Sequence, residues 1–269
     1  MFPTLSFLKG NLYDLLNVYG VMMLFYFNLD QMYHQQPPLS RNLAWLRSKV
    51  SAAPKLQKTV LPNYWVWTVV ESLLFSCAQQ VGCLFNWQVG ELVGTGANYF
   101  SHLFLFPIPF LAMSFLLWTD PLKKADLIAP AFAMTLIIAK VACFCSGCCS
   151  GFQCSWGMFN QSTNQREFPI QLVEAAVALG LFLVLLKLRG KVRPGTMFPI
   201  YVLLYSGIRF FTEFARYEEN VFWIFKIYHF CCLAGLAYGF ILLALVRKFG
   251  PRISAYFETR MSSAAAEEI

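Results

Sequence analysis

Seven apolar runs alternate with short polar connections along the chain, near Tyr13–Leu29, Val60–Phe85, Tyr99–Trp118, Leu127–Cys148, Pro169–Leu188, Thr196–Arg216 and Val221–Val246. Each is at or near the roughly 20 residues that cross a bilayer as a helix. The pattern predicts an all-α fold, a polytopic membrane bundle of about seven transmembrane helices. It occupies residues 1–250 as a single domain with an inner loop at 30–59, and a tail at 251–269 follows. A secretory signal is the other reading of the first run, but Asp14 and Asn17 interrupt it and no small-residue cleavage site follows. Trp65 and Trp67, near the start of the second run, suit an interfacial belt.

Composition agrees with the pattern. Of the 269 residues, 58% are hydrophobic, 17% aromatic and only 13% charged, against about 25% charged in a soluble domain. No Ser/Gly/Pro-rich linker and no internal repeat divides the chain. The formal charge of +7 raises the question of nucleic acid, and the placement of the basic residues answers it. Arg41, Arg47, Lys49, Lys55 and Lys58 precede the second run, Lys123 and Lys124 follow the third, and Lys187, Arg189, Lys191 and Arg193 follow the fifth. Arg247, Lys248, Arg252 and Arg260 follow the seventh, whereas the other side holds only Lys9, Arg166 and Arg216. Every second loop is basic. The positive-inside rule then predicts an outer N-terminus and a cytoplasmic C-terminus. The charge is a topology signal with added attraction to anionic lipid headgroups, and no nucleic-acid partner is expected.

Ionisable groups inside the runs are costly in hydrocarbon unless paired or hydrated. They are Glu71, Lys140, Glu174, Arg209, Glu213 and Lys226. Counting about 1.5 Å per residue along helices of predicted direction places Arg209 and Glu213 in the outer half, with Arg216 at the exit. The spacing i, i+4, i+7 puts all three on one helical face. Lys140 lies past the midplane, Cys143 and Cys148 reach the outer surface, and Tyr19 and His102 lie near outer helix ends. Each has a plainer reading. Arg209–Glu213 can be a self-neutralising pair, Lys140 a snorkelling lysine, Tyr19 an interfacial aromatic and His102 a structural hydrogen-bonding residue. The shared depth argues for one site. Glu71 and Lys226 read as structural or interfacial groups, and His34 and His229 are given no role.

Five of the nine cysteines fall between Cys143 and Cys154. Structural zinc usually draws on two separated Cys pairs or on Cys with His. No second pair of that kind exists, so no metal and no cofactor is expected. An oxidised or redox pair is the alternative in an outer compartment. The preferred reading is backbone: Gly147 and Gly151 allow a tight turn, and small side chains let it pack near a ligand.

Ala125–Pro130, Lys140-Val141-Ala142-Cys143-Phe144 and Gly147-Cys148-Cys149-Ser150-Gly151 together resemble the signature region of prolipoprotein diacylglyceryl transferases. Pro169-Ile170-Gln171-Leu172-Val173-Glu174 resembles that family's Pro-x-Gln-Leu-Tyr-Glu element. Arg193-Pro194-Gly195, and then Tyr205 through Arg216, resemble its Tyr-Gly-x-x-Arg-Phe-x-x-Glu-Phe-x-Arg region, and Val18-Tyr19-Gly20 is similar to its Trp-Tyr-Gly. The order and spacings fit over roughly residues 95–246. The departures are Lys140 at an arginine position, Cys143 at an asparagine position, and Cys148 where many members are acidic. Ser101-His102-Leu103 stands for His-Gly-Gly, and Phe168 replaces a histidine. The chain reads as a divergent member.

The resemblance implies transfer of a diacylglyceryl group from phosphatidylglycerol to the lipobox cysteine thiol of prolipoprotein precursors, in the bacterial cytoplasmic membrane and among its lipids. On that basis Lys140 and Arg209 would hold the phosphate, Glu213 would orient Arg209, His102 would be the base and Tyr19 would bond the headgroup. Cys143, Cys148, Gly151, Gln171 and Arg216 would line the substrate. A lysine is a point charge without the two-pronged fork of arginine, so phosphate geometry at Lys140 would differ. Two other functions are carried alongside: a related enzyme acting on another acceptor, and a non-catalytic lipid- or peptide-binding protein or small transporter.

Overall fold

The computed structural model describes residues 99–217 and 220–266, with residues 68–75 and a few single helical positions before them. Tyr19 and the first predicted span lie outside the described residues, as does the His102 side chain. In order come α1 (Tyr99–Leu105), α2 (Pro107–Leu117), α3 (Pro121–Ser146), β1 (Gln153–Asn160), β2 (Gln165–Glu167), α4 (Ile170–Leu188), α5 (Met197–Glu213) and α6 (Ile227–Ala266). Among the described residues, three helices are long and apolar enough to cross a membrane: Pro121–Ser146, Ile170–Leu188 and Ile227–Thr259. Large apolar side chains stand exposed on them, among them Leu179, Leu183, Phe240 and Leu245, as a lipid-facing surface requires.

Local chemistry explains where the elements differ from expectation. The predicted span 99–118 is two helices, α1 and α2. Pro107 and Pro109 have no N–H to return to the preceding turn, so the helix stops and restarts with Pro107 at its first position. Trp118 closes α2 in the left-handed conformation, its N–H donating to Phe115 O at 3.1 Å. α3 begins six residues before the predicted run, because Asp120 accepts the Leu122 N–H at 2.9 Å and Pro121 follows it. α6 begins at Ile227 rather than Val221. Lys226 N–H donates to His229 Nδ1 at 3.0 Å while His229 N–H donates to Lys226 O at 3.0 Å, a reciprocal cap.

The all-α expectation fails in one place. Residues 153–167 form an antiparallel hairpin with Met158 opposite Glu167, Phe159 opposite Arg166 and Asn160 opposite Gln165. Fully buried Asn160 holds it: its amide donates to Gly147 O (2.9 Å) and to Glu167 Oε2 (2.8 Å), while its carbonyl accepts the Ser162 N–H (2.9 Å). The run Gln153–Asn160 has no clean apolar–polar alternation, which is why periodicity does not reveal it.

Contacts divide the chain into two units, one containing residues 129–192 and 199–241, the other 25–128, 193–198 and 242–269. In the second, buried Lys124 pairs with buried Glu71 at 2.5 Å, so a charge counted as a loop signal is an internal ion pair. The carboxylate of Asp126 accepts Gly195 N–H at 2.6 Å and Met197 N–H at 2.8 Å, capping the start of α5 from another helix. Asp126→Ala leaves both donors without their acceptor and should cost about 1–2 kcal/mol. Thermal unfolding in detergent should show a lowered midpoint, partly restored by Asp126→Asn; an unchanged midpoint in the alanine variant contradicts the cap.

Candidate active site

The site lies within the first unit and is built around one carboxylate. α4 begins at Ile170, just after Pro169, which sets Gln171 and Glu174 on the same face at i, i+3. Gln171 is fully buried and donates to Cys148 O at 2.6 Å. Glu174 receives three cations. Lys140 Nζ from α3 lies 2.7 Å from Oε2, and Arg209 from α5 donates to Oε1. Arg216, just past α5, reaches Oε2 through Nη2 at 3.1 Å and Oε1 through Nε at 3.3 Å. Arg209 also pairs with Glu213 Oε2 at 2.6 Å. Lys226 donates to the carbonyls of Glu213 (2.8 Å) and Arg216 (2.5 Å).

These groups are removed from water: Glu213 is fully buried, and Glu174 and Arg209 are 6% and 7% exposed. Charges in that condition cost several kcal/mol each unless paired. Among the described residues, four cations, Lys140, Arg209, Arg216 and Lys226, gather with the two carboxylates Glu174 and Glu213. An anion that accepts several hydrogen bonds would complement these cations. Beside the cluster opens a narrow cleft of about 20 Å³ whose walls change character. Lys140, Glu174 and Arg209 form one part, and Leu136, Leu181 and Ile208 another. This is the lining a molecule with one charged end and one apolar body needs.

The turn after α3 borders the cluster. Gly147 (φ +72) and Cys149 (φ 57) reverse the chain in left-handed conformations. Gly151 sits between two backbones, since a Cβ there would lie 2.7 Å from both Phe168 O and Ala215 O. Its N–H donates to Phe168 O at 3.0 Å, and it pairs with Arg216 as an isolated bridge. Its smallness therefore lets this turn approach the end of α5. The thiols of Cys143, Cys148 and Cys149 gather on the same turn, their sulfurs within 4.8 Å of one another. Hydrogen bonds from Cys143 and Cys148 hold the Cys149 thiol well below its ordinary range, with Arg216 and Lys140 adding in the same direction.

Of the expected residues, Lys140, Arg209, Glu213 and Arg216 meet in one cluster, which Gln171 and Gly151 flank through backbone contacts. Cys143 and Cys148 join each other rather than a cluster carboxylate. His102 is on α1, and its side chain and Tyr19 are outside the described residues. The residue that sequence reasoning left out of the site is Glu174. Its signal was a carboxylate inside an apolar helix at the end of the Pro-x-Gln motif. Lys226, a structural or interfacial group by sequence, holds the end of α5. His229 packs at 4.3 Å, centroid to centroid, on Phe214.

The sequence profile of the prolipoprotein diacylglyceryl transferase family matches residues 106–245, a range that contains the whole ionic cluster. A phosphatidylglycerol–prolipoprotein diacylglyceryl transferase 2 of Clostridium perfringens is 32% identical over 108 residues, 37% of this chain and 42% of that protein. The phosphatidylglycerol–prolipoprotein diacylglyceryl transferase of Clostridium tetani is 30% identical over 105 residues, 36% of this chain and 42% of that protein. The chain thus aligns with less than half the length of these relatives.

Glu174→Gln should leave three cations around a neutral amide and lower stability by about 3–5 kcal/mol. Lys140→Met in the same chain should recover part of the loss in thermal unfolding. A single variant as stable as the parent contradicts the role of Glu174.

Proposed function

The chain belongs to the prolipoprotein diacylglyceryl transferase family, and from that premise we propose that it transfers a diacylglyceryl group from phosphatidylglycerol to the lipobox cysteine thiol of prolipoproteins. The observation that carries this reading is the convergence of three cations on Glu174 beside a cleft with an apolar wall. In it the lipid phosphate rests against Lys140 and Arg209, the acyl chains follow Leu136, Leu181 and Ile208, and Glu213 keeps Arg209 aimed. A thioether C–S bond forms as the C–O bond to phosphate breaks and glycerol phosphate leaves. The buried cations stabilise charge growing on that phosphate. His102 takes the thiol proton and Tyr19 bonds the headgroup, both carried over from the family resemblance.

The same proposal has seven membrane crossings in the bacterial cytoplasmic membrane, with the N-terminus outside, so that the cluster meets secreted precursors. Its partners are phosphatidylglycerol, prolipoprotein precursors and membrane lipids. A second reading, transfer to a different acceptor, is favoured by Cys143 and Cys148, which replace the asparagine and acidic residues of the family pattern.

A lipobox peptide incubated with phosphatidylglycerol and the purified protein should gain the mass of one diacylglyceryl unit. Arg209→Ala should lower the rate about 10²–10³-fold, as loss of one charge-stabilising donor does elsewhere. No gain on the peptide overturns the proposal, and undiminished activity of the variant removes the phosphate clamp.

A further inference from the structure

The sequence argues against a metal because no second pair of cysteines stands at knuckle spacing. Folding alters that picture, since three thiols converge. Cys143 comes from the last turn of α3. The chain then reverses through Gly147 and Cys149, bringing Cys148 and Cys149 back to it. All three sulfurs lie within 4.8 Å of one another.

The turn is held from several directions. Cys148 N–H donates to Cys143 O at 3.1 Å, buried Gln171 holds Cys148 O at 2.6 Å, and buried Asn160 holds Gly147 O at 2.9 Å. The Ser146 hydroxyl lies 3.0 Å from Cys148 Sγ. Cys149 keeps φ at 57, a conformation that costs a side-chain-bearing residue about 1–2 kcal/mol and persists where the surroundings enforce it.

We propose that Cys143, Cys148 and Cys149 form a three-thiolate site for a thiophilic d¹⁰ cation, zinc(II), with its fourth position open to an external ligand. Tetrahedral zinc with Zn–S bonds of about 2.3 Å sets its sulfurs roughly 3.8 Å apart, so the present cluster closes on an ion with shifts of about 1 Å or less. Among the described residues the donors are three soft sulfurs with no carboxylate or imidazole beside them, a set that selects zinc or copper(I) over harder ions. Zinc(II) with three thiolates carries one negative charge, and the cations Lys140 and Arg216 stand near enough to act on the Cys149 sulfur. Cys148 and Cys149 are exposed and Cys143 half-buried. The fourth position therefore faces outward, as in open rather than closed zinc sites. The site stands independently of the transfer reaction, and its test needs no activity.

The full chain in detergent, kept in a non-thiol reductant and stripped of metal, is titrated with zinc(II) against a chromophoric chelator. One zinc per chain is expected. Cys148→Ser and Cys149→Ser should each weaken it by more than about 100-fold, beyond the 10–100-fold cost of losing an outer-shell partner. Cys145→Ser, on the same turn but outside the triad, should leave it unchanged. Both ligand substitutions are at exposed positions and preserve packing; cobalt(II) in the wild type should give thiolate charge-transfer bands that fade in each variant. Zinc retention no greater than in the Cys143/Cys148/Cys149→Ser triple variant overturns the site. So does equal retention in the single variants, or a wild-type chain two protons lighter that takes up no zinc because two thiols have joined.

Discussion

One carboxylate shared by three cations sets the arrangement of the site. Glu174 stands a turn into α4 and draws Lys140 from α3, Arg209 from α5 and Arg216 from the segment after α5. None of these charges could be removed from water alone, because an unpaired ion in that setting is worth several kcal/mol against the fold. Glu174 lowers that cost for each, and Glu213 takes the free side of Arg209.

The difference between Lys140 and Arg209 is visible here. Arg209 spans two carboxylates with its fork, whereas Lys140 places a single ammonium 2.7 Å from one oxygen. Holding Arg209 between Glu174 and Glu213 fixes its plane, while Lys140 keeps donors that another acceptor can use. A lysine at this position therefore supplies charge without the directionality of an arginine.

Much of this was legible in the sequence, and the remainder has physical reasons. The i, i+4 spacing of Arg209 and Glu213 announced their pairing, and the continuous apolar runs located α4 and α5 to within a few residues. Pairing across helices was not legible: Glu174 stood in the sequence as one more ionisable residue, and only packing shows that α3, α4 and α5 all aim at it. Pro107 and Asp120-Pro121 were punctuation that a hydropathy window overruns, so α1 and α2 were read as one span and α3 as starting late. The hairpin at 153–167 is held by Asn160 and Glu167 more than by alternation. The cysteine turn is legible as a tight reversal at Gly147. Its consequence, three sulfurs at one point, depends on the handedness of Gly147 and Cys149, which no spacing reveals.

In the proposed function the cations gathered on Glu174 hold an anionic lipid headgroup. Native mass spectrometry of the full chain, released from micelles holding equal amounts of phosphatidylglycerol and phosphatidylcholine, tests it most directly. The wild type should retain phosphatidylglycerol preferentially and Arg209→Ala should lose that preference. Equal retention of both lipids by the wild type, or a preference that survives the substitution, would contradict it.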